Sequence, residues 1–278
     1  MNKIAVVTDS CSDLTEVEIG GLDIHVLPLK VIYPDRIYTD RVDITPEEIY
    51  NNLAHQVPKT SLPSPGEVSD LFFGLREQGY TGIVSIHISS GLSGTVEMVR
   101  QVADSFPDME ITVLDSLSLS MGQGFAVLEA ARMAKQGGSL QEVVAQARQV
   151  IDSMNVYFVV GTLEYLIKGG RIGLVSGTIG ELLQLKPVIS INSEGKYYTV
   201  EKVRGRKKSL QRAYEIVREK LESAVGKVAV YHCNAPEEAE EMVARLRATP
   251  GVKEVLMGQV GPVISVHCGP GLLGLVMY

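Results

Sequence analysis

The chain has no tryptophan, and its aromatic residues make up only 6% of 278. So thin a supply argues against the stacking platforms that bind single-stranded nucleic acid. Cysteine is equally scarce. Cys11, Cys233 and Cys268 lie far apart and form no Cys-x-x-Cys pair, so neither a disulfide framework nor a zinc site is expected. There is no excess of positive charge. With 26 basic and 33 acidic residues the net charge is −7, the wrong sign for a chain that binds nucleic acid or an anionic membrane through its whole surface. No apolar run reaches the 18 residues of a membrane span, and the apolar stretch before Thr8-Asp9 is too short for a signal peptide. A soluble, cytoplasmic protein is the expectation, with no nucleic-acid partner and no integral membrane association. Internal repeats and low-complexity segments are also missing.

What remains is ordinary globular material: 45% hydrophobic and 21% charged residues. The length suits one large domain or two of common size, and is enough to enclose a cavity. Strand and helix patterns alternate along the first half. Lys3–Val7, Gly82–Ile88 and Glu110–Leu114 read as strands, and residues 24–33 with 37–39 as a hairpin about Pro34-Asp35. Thr45-Pro46-Glu47-Glu48 and Ser64-Pro65-Gly66-Glu67 are helix starts, each with a capping residue, a proline and a closing glutamate. Helices are expected over 124–135 and 140–154. This rhythm implies a mostly parallel sheet with helices on both faces.

The second half mixes its signals. Strands are expected at 156–161, 188–191, 197–202, 227–232, 252–257 and 263–266, with helices at 208–223 and 236–248 and a brief one at 179–185. The expected fold class is therefore α/β with two α/β domains. An N-terminal domain over 1–154 contains the hairpin near 24–39. A C-terminal domain over 155–278 has a mixed sheet with helices.

Candidate chemistry concentrates in a few loops. Ser89-Ser90-Gly91-Leu92-Ser93-Gly94-Thr95 joins a buried strand to a helix, the place where open α/β sheets bind ligands. Helix N-terminal N–H groups attract an anion, the glycines permit close approach, and the Ser93 and Thr95 hydroxyls add donors. No lysine follows the glycine, so a carboxylate or single phosphate fits better than a nucleotide. Thr60-Ser61-Leu62-Pro63-Ser64 is a second hydroxyl cluster before a helix. Asp9, Ser10 and Ser12 suit a turn at a strand end, and His87 suits a satisfied core histidine. His267 closes an expected strand beside a glycine turn. Arg204-Gly205-Arg206-Lys207-Lys208 is a basic cluster in an acidic chain, able to pair with an anion or an acidic partner. Gly169-Gly170-Arg171-Ile172-Gly173 is a lid or a helix end. No nucleophile elbow and no metal-ligand spacing appears, so no catalytic residue and no metal ligand is assigned.

In order along the chain, Val7-Thr8-Asp9-Ser10, Lys59-Thr60-Ser61-Leu62-Pro63-Ser64, Ile88-Ser89-Ser90-Gly91-Leu92-Ser93-Gly94-Thr95, Leu166-Ile167-Lys168-Gly169-Gly170-Arg171-Ile172, Lys186-Pro187-Val188, Gly261-Pro262-Val263-Ile264-Ser265-Val266-His267 and Gly269-Pro270-Gly271-Leu272-Leu273-Gly274 resemble the DegV family, bacterial fatty-acid-binding proteins also called FakB. The family often has Gln where this chain has Leu62. The resemblance implies two α/β domains with the ligand between them, in a non-enzymatic carrier with no cofactor beyond that bound long-chain fatty acid. It implies a carboxylate held by Thr60, Ser61, Ser93, Gly94 and His267, and Arg204 near the head group or in phosphotransfer, with Arg206 two residues away. It also implies a partner, a fatty acid kinase that uses ATP to make the acyl phosphate for phospholipid synthesis. Two other readings stay open on the residues alone. One is a serine-dependent acyl hydrolase or transferase using Ser93 and His267. The other is a regulatory module that cradles a phosphorylated ligand.

Overall fold

The computed structural model describes residues 3–175, 185–222 and 226–278. The expected helix at 179–185 falls, over 179–184, outside the described residues. The chain forms two α/β units. Unit 1 comprises Met1–Lys30 and Thr60–Ser153; unit 2 comprises Val31–Lys59 and Met154–Tyr278. The segment Val31–Lys59, placed with the first domain by the sequence reading, clusters with the second unit. Its hold there is polar and specific. The Asp40 carboxylate accepts the Val263 N–H at 3.0 Å, Arg41 donates to the Gln259 carbonyl at 3.1 Å, and Gln259 donates to Glu47 at 2.8 Å.

Unit 1 is built on a four-stranded sheet, β1 (Ile4–Asp9), β2 (Ile24–Leu27), β6 (Gly82–His87) and β7 (Glu110–Asp115), in the order β2-β1-β6-β7. Every pairing is parallel. β1 and β6 are buried along their whole length, so they read as continuous apolar runs rather than alternating ones. On one face Ala5, Val7 and Ile83 pack with Val68, Phe72 and Leu75 of helix α3 (Pro65–Glu77) and Val99 of helix α4 (Thr95–Ala103). On the other lies helix α5 (Met121–Lys135), backed by α6 (Leu140–Ser153); Gln123 of α5 donates to the Thr8 hydroxyl at 2.9 Å. The expected helix starts are capping boxes: Ser64 with Glu67, Thr45 with Glu48, and Ser139 with Glu142, each serine or threonine oxygen taking the glutamate N–H while the carboxylate takes the cap N–H. A fourth, Thr15 with Glu18, starts the short helix α1 (Glu16–Ile19) and was not expected. Each such cap is worth about 1 kcal/mol.

The 24–39 hairpin is half right. The turn is real, with Tyr33 N–H donating to the Arg36 carbonyl at 2.9 Å. The first arm, however, divides after Leu27. β2 joins the parallel sheet, while β3 (Lys30–Ile32) lies in a small sheet of order β4-β3-β5 with β4 (Ile37–Thr39) and β5 (Lys59–Ser61). Pro28 separates the two strands, and proline cannot donate to a ladder.

Unit 2 has a six-stranded mixed sheet: β8 (Asn155–Val159), β9 (Val188–Ile191), β10 (Tyr197–Glu201), β11 (Gly226–Cys233), β12 (Val252–Gln259) and β13 (Leu272–Met277), in the order β10-β9-β8-β13-β11-β12. Only β11 and β12 pair in parallel. Its core packs Ala213, Ile216 and Val217 of α8 (Arg206–Leu221) and Met242, Val243 and Leu246 of α9 (Pro236–Arg247) against Val228, Val230 and Leu275. Between β8 and β9 lies the short helix α7 (Glu164–Lys168). Helix α2 (Pro46–Asn52) packs against α10 (Pro262–Cys268). Here the sequence reading fails: Val263–Val266, expected as a strand, lies within the helix Pro262–Cys268. Nearly all of its residues are buried, so its apolar run carries no period that separates strand from helix. Pro262 at its first position and the Asp40 carboxylate on the Val263 N–H fix the helical choice. No described helix is long and apolar enough to cross a membrane.

Two adjacent phenylalanines test the assignment of the unit 1 core. Phe72 is fully buried and stacks edge-to-face on Phe106 at 5.8 Å, while Phe73 is 51% exposed. Phe72→Ala is expected to cost about 3–5 kcal/mol in urea unfolding and Phe73→Ala less than about 1 kcal/mol. Equal costs would contradict the packing.

Candidate functional site

In a parallel sheet of this order the connections leave in opposite directions from β1 and β6. Ligands bind at such a switch point, beyond the carboxyl ends of the strands. The residues found there are unusual. Thr8, Asp9, Ser10, Ser12 and Asp13 at the end of β1, Ser85, His87 and Ser89 about the end of β6, and Ser116 and Ser118 after β7 are all buried. Buried polar side chains are tolerated only with partners. Asp9 has several: its Oδ1 accepts the Cys11 N–H at 3.0 Å, and its Oδ2 faces His87 Nδ1 and the Ile88 N–H, each at 2.9 Å. With Asp9 accepting from Nδ1, the Nε2 of His87 is left to accept the Ser85 hydroxyl at 2.7 Å. The order Ser85–His87–Asp9 mimics a nucleophile, base and orienter, but all three side chains are fully enclosed in the sheet, where no acyl group reaches Ser85. His87 is the satisfied core histidine that the sequence suggested.

Beyond His87 the chain enters the serine- and glycine-rich loop. Leu92 and Ser93 N–H both donate to the Ser89 carbonyl at 3.0 Å, and Gly91 N–H donates to Ser89 Oγ at 3.1 Å. Ser93 Oγ lies 2.8 Å from Thr95 Oγ1, at the start of α4, whose cap residue Gly94 offers no side chain. The second hydroxyl segment comes close. A Cβ built on Gly94 would stand 4.0 Å from Leu62 Cδ2, so Leu62 brings the Thr60-Ser61 segment beside the Ser93-Gly94 turn. Ser61 Oγ donates to the Leu62 carbonyl at 3.2 Å. Thr60, Ser61, Ser93 and Gly94 thus share unit 1 and one end of its sheet. The backbone there is strained: Asp13, Leu117 and Ser120 all have positive φ, at 56°, 49° and 51°. Such residues cost about 1–3 kcal/mol each and cluster at functional sites. Asp115, which no motif marked, takes part as well; it receives N–H groups from Ser90 and Leu117.

His267 and Arg204 belong to unit 2. His267 sits in the last turn of α10, and the chain before Arg171 passes so close that a Cβ on Gly169 would collide with its ring. Glycine at 169 is thereby explained by close approach rather than by a hinge or lid. Arg171 donates to the Gly169 carbonyl at 2.7 Å. Burial, with the nearby Arg171 cation acting in the same sense, pushes the His267 imidazole down to about 4. His267 is therefore neutral at physiological pH, able to accept or donate one proton in a hydrogen bond. The two arginines of the basic cluster differ. Arg206 is committed to Glu238 by a two-point pair at 3.1 and 2.6 Å, whereas Arg204 is exposed and makes no ion pair among the described residues. Sequence spacing could not separate them; the Glu238 partner, 32 residues away, does. Cys11, Cys233 and Cys268 are buried and form no disulfide among the described residues.

Residues 3–278 match the sequence-family model of the DegV family. A DegV domain-containing protein of Clostridium acetobutylicum is 42% identical over 278 residues, covering 100% of this chain and 99% of its own. Among solved structures, a DegV-family protein of Thermus thermophilus described for its fatty acid binding superposes with a TM-score of 0.92 at 34% identity, covering 99% of both chains. DegV of Bacillus subtilis, a fatty acid binding protein, gives 0.91 at 31% identity over 100% of this chain and 99% of that one.

The depressed His267 pKa has a measurable consequence. Between pH 6.5 and 4 the unfolded chain takes up a proton that the folded chain refuses, so stability falls as pH falls across that window. Between pH 7 and pH 5 the loss attributable to His267 should be about 2 kcal/mol in urea unfolding, and His267→Gln should remove it. An unchanged pH slope in the variant would show that His267 is not held neutral.

Proposed function

This chain belongs to the DegV family, and on that premise we propose that it binds a long-chain fatty acid, with the carboxylate on the Thr60-Ser61 and Ser93-Gly94 segments. The observation that carries the reading is the Ser89–Thr95 loop at the switch point of the parallel sheet, with Leu62 setting the Thr60 segment beside it. Solved relatives that bind fatty acids support it. The chemistry suits a carboxylate. Hydroxyls and backbone N–H groups aimed at an anion form charge-assisted hydrogen bonds without a buried lysine or arginine. Most of the affinity then comes from the chain. At about 0.8 kcal/mol per buried CH₂, a sixteen-carbon chain gains about 11 kcal/mol gross, less several kcal/mol for ordering and association. A dissociation constant between about micromolar and nanomolar follows. The head site fixes orientation.

In this reading the protein is a carrier and not an enzyme. A partner kinase supplies ATP; its γ-phosphoryl group passes to a carboxylate oxygen, the bond to the ADP oxygen breaks, and an acyl phosphate for phospholipid synthesis results. The neutral His267 and the uncommitted Arg204 are assigned from the family resemblance to the head group and to phosphotransfer. The cytoplasm, where ATP and the kinase are found, is the corresponding location.

Organic extraction of the purified protein followed by mass spectrometry tests the first step: a stoichiometric long-chain fatty acid is expected. Thr60→Ala and Ser93→Ala should each weaken fatty-acid binding by about 1–3 kcal/mol, the cost of losing a bond to a charged group. An empty extract, after incubation with several fatty acids, would end the reading. The kinase step has its own test. Arg204→Ala should leave fatty-acid affinity unchanged within about twofold and lower the rate of acyl phosphate formation by a partner kinase. Normal phosphorylation by that variant would remove Arg204 from phosphotransfer.

A further inference from the structure

We propose that Asp9 and Asp115 are positioning residues for the carboxylate site, tying the Ser93 loop down from both neighbouring strands; this rests on the fatty-acid reading of that loop. β6 lies between β1 and β7, and each of those strands ends in an aspartate. The first N–H of the loop, Ile88, goes to Asp9 Oδ2 at 2.9 Å. The second, Ser89, goes to the Ser118 carbonyl at 2.8 Å in the segment that follows β7. The third, Ser90, is shared between the two Asp115 oxygens, at 3.3 Å from each. From Gly91 to Ser93 the N–H groups turn inward, all onto Ser89. Every N–H from 88 to 93 is thus accounted for, three bound outward to the flanking strand ends and three folded back on Ser89.

Each carboxylate does a second service. Asp9 also fixes the Cys11 N–H and His87, and Asp115 fixes the Leu117 N–H at 2.9 Å, on a residue held at positive φ. The three exits of the sheet are therefore set relative to one another through two side chains. The charge is the informative part. A carboxylate beside an anion site repels the ligand, so field alone predicts that neutralising Asp115 tightens fatty-acid binding. Positioning predicts the reverse, because the Ser93 hydroxyl and the Gly94 N–H lose their preorganised aim.

The two are separated by measuring affinity for a long-chain fatty acid and for its methyl ester, which keeps the chain and lacks the charge. Asp115→Ala should weaken acid binding about tenfold, change ester binding less than twofold, and speed amide hydrogen exchange at 90–93. Asp115→Asn, which retains an acceptor oxygen without the charge, should recover most of the loss and also serves if the alanine variant fails to fold. Tighter or unchanged acid binding in both variants, or an equal loss for acid and ester, overturns the inference while leaving the fatty-acid reading intact. A wild-type protein that binds no fatty acid ends the fatty-acid reading itself, and this inference with it.

Discussion

The Asp9 carboxylate, enclosed at the end of a parallel strand, sets the terms for everything at that edge of unit 1. A buried negative charge is ruinous unless it is surrounded by donors. Here the donors are the Cys11 N–H, the Ile88 N–H and His87 Nδ1, and each lies on an element that must then hold its place. The turn after β1, the strand β6 and the loop after it are locked together by one side chain. His87 in turn requires the Ser85 hydroxyl for its second nitrogen. The network consumes polar groups that in a looser arrangement would be candidates for catalysis. It leaves Ser93, only partly buried farther along the loop, as the hydroxyl on which the fatty-acid reading rests.

The strained backbone nearby follows from the same constraint. Ser120 has positive φ, donates its Oγ to Asp13 Oδ2 at 2.5 Å and its N–H to the Cys11 carbonyl at 2.7 Å. Asp13 and Leu117 also have positive φ. Aspartate tolerates that region better than leucine does. These conformations persist because short connections must bring β1 and β7 back over the sheet while their side chains and N–H groups close on Ser89, Ser118 and Asp115.

Local signals in the sequence carried well. Ser64, Thr45 and Ser139 cap where their spacing to glutamate says they should, because a capping box is a contact over three residues. β1, β6 and β7 were legible as buried strands, and Ser93 was legible as a residue at a strand-to-helix turn. The failures are non-local. Pro262–Cys268 is helical because Asp40, more than 200 residues earlier, takes the Val263 N–H; nothing in Val-Ile-Ser-Val announces that. Val31–Lys59 belongs with unit 2 because Arg41 and Glu47 bond Gln259. Asp115 ends a strand and looks like any turn aspartate until Ser90 is seen to share it. Arg204 and Arg206 are interchangeable until Glu238 claims one of them.

On the fatty-acid reading, a division of labour between chain and head group accounts for a candidate site with no buried lysine or arginine assigned to it. If burial of the acyl chain supplies most of the binding free energy, the head site need not be strong; it must discriminate. A lysine or arginine buried against the carboxylate would add attraction but would quench the oxygen as a nucleophile toward phosphorus. Hydroxyls and N–H groups hold the same oxygen more weakly and leave its reactivity intact. A neutral imidazole fits that requirement better than a cation, and burial keeps His267 neutral. In the proposed kinase step Arg204, exposed and without an ion pair among the described residues, is the cation assigned to the phosphoryl charge.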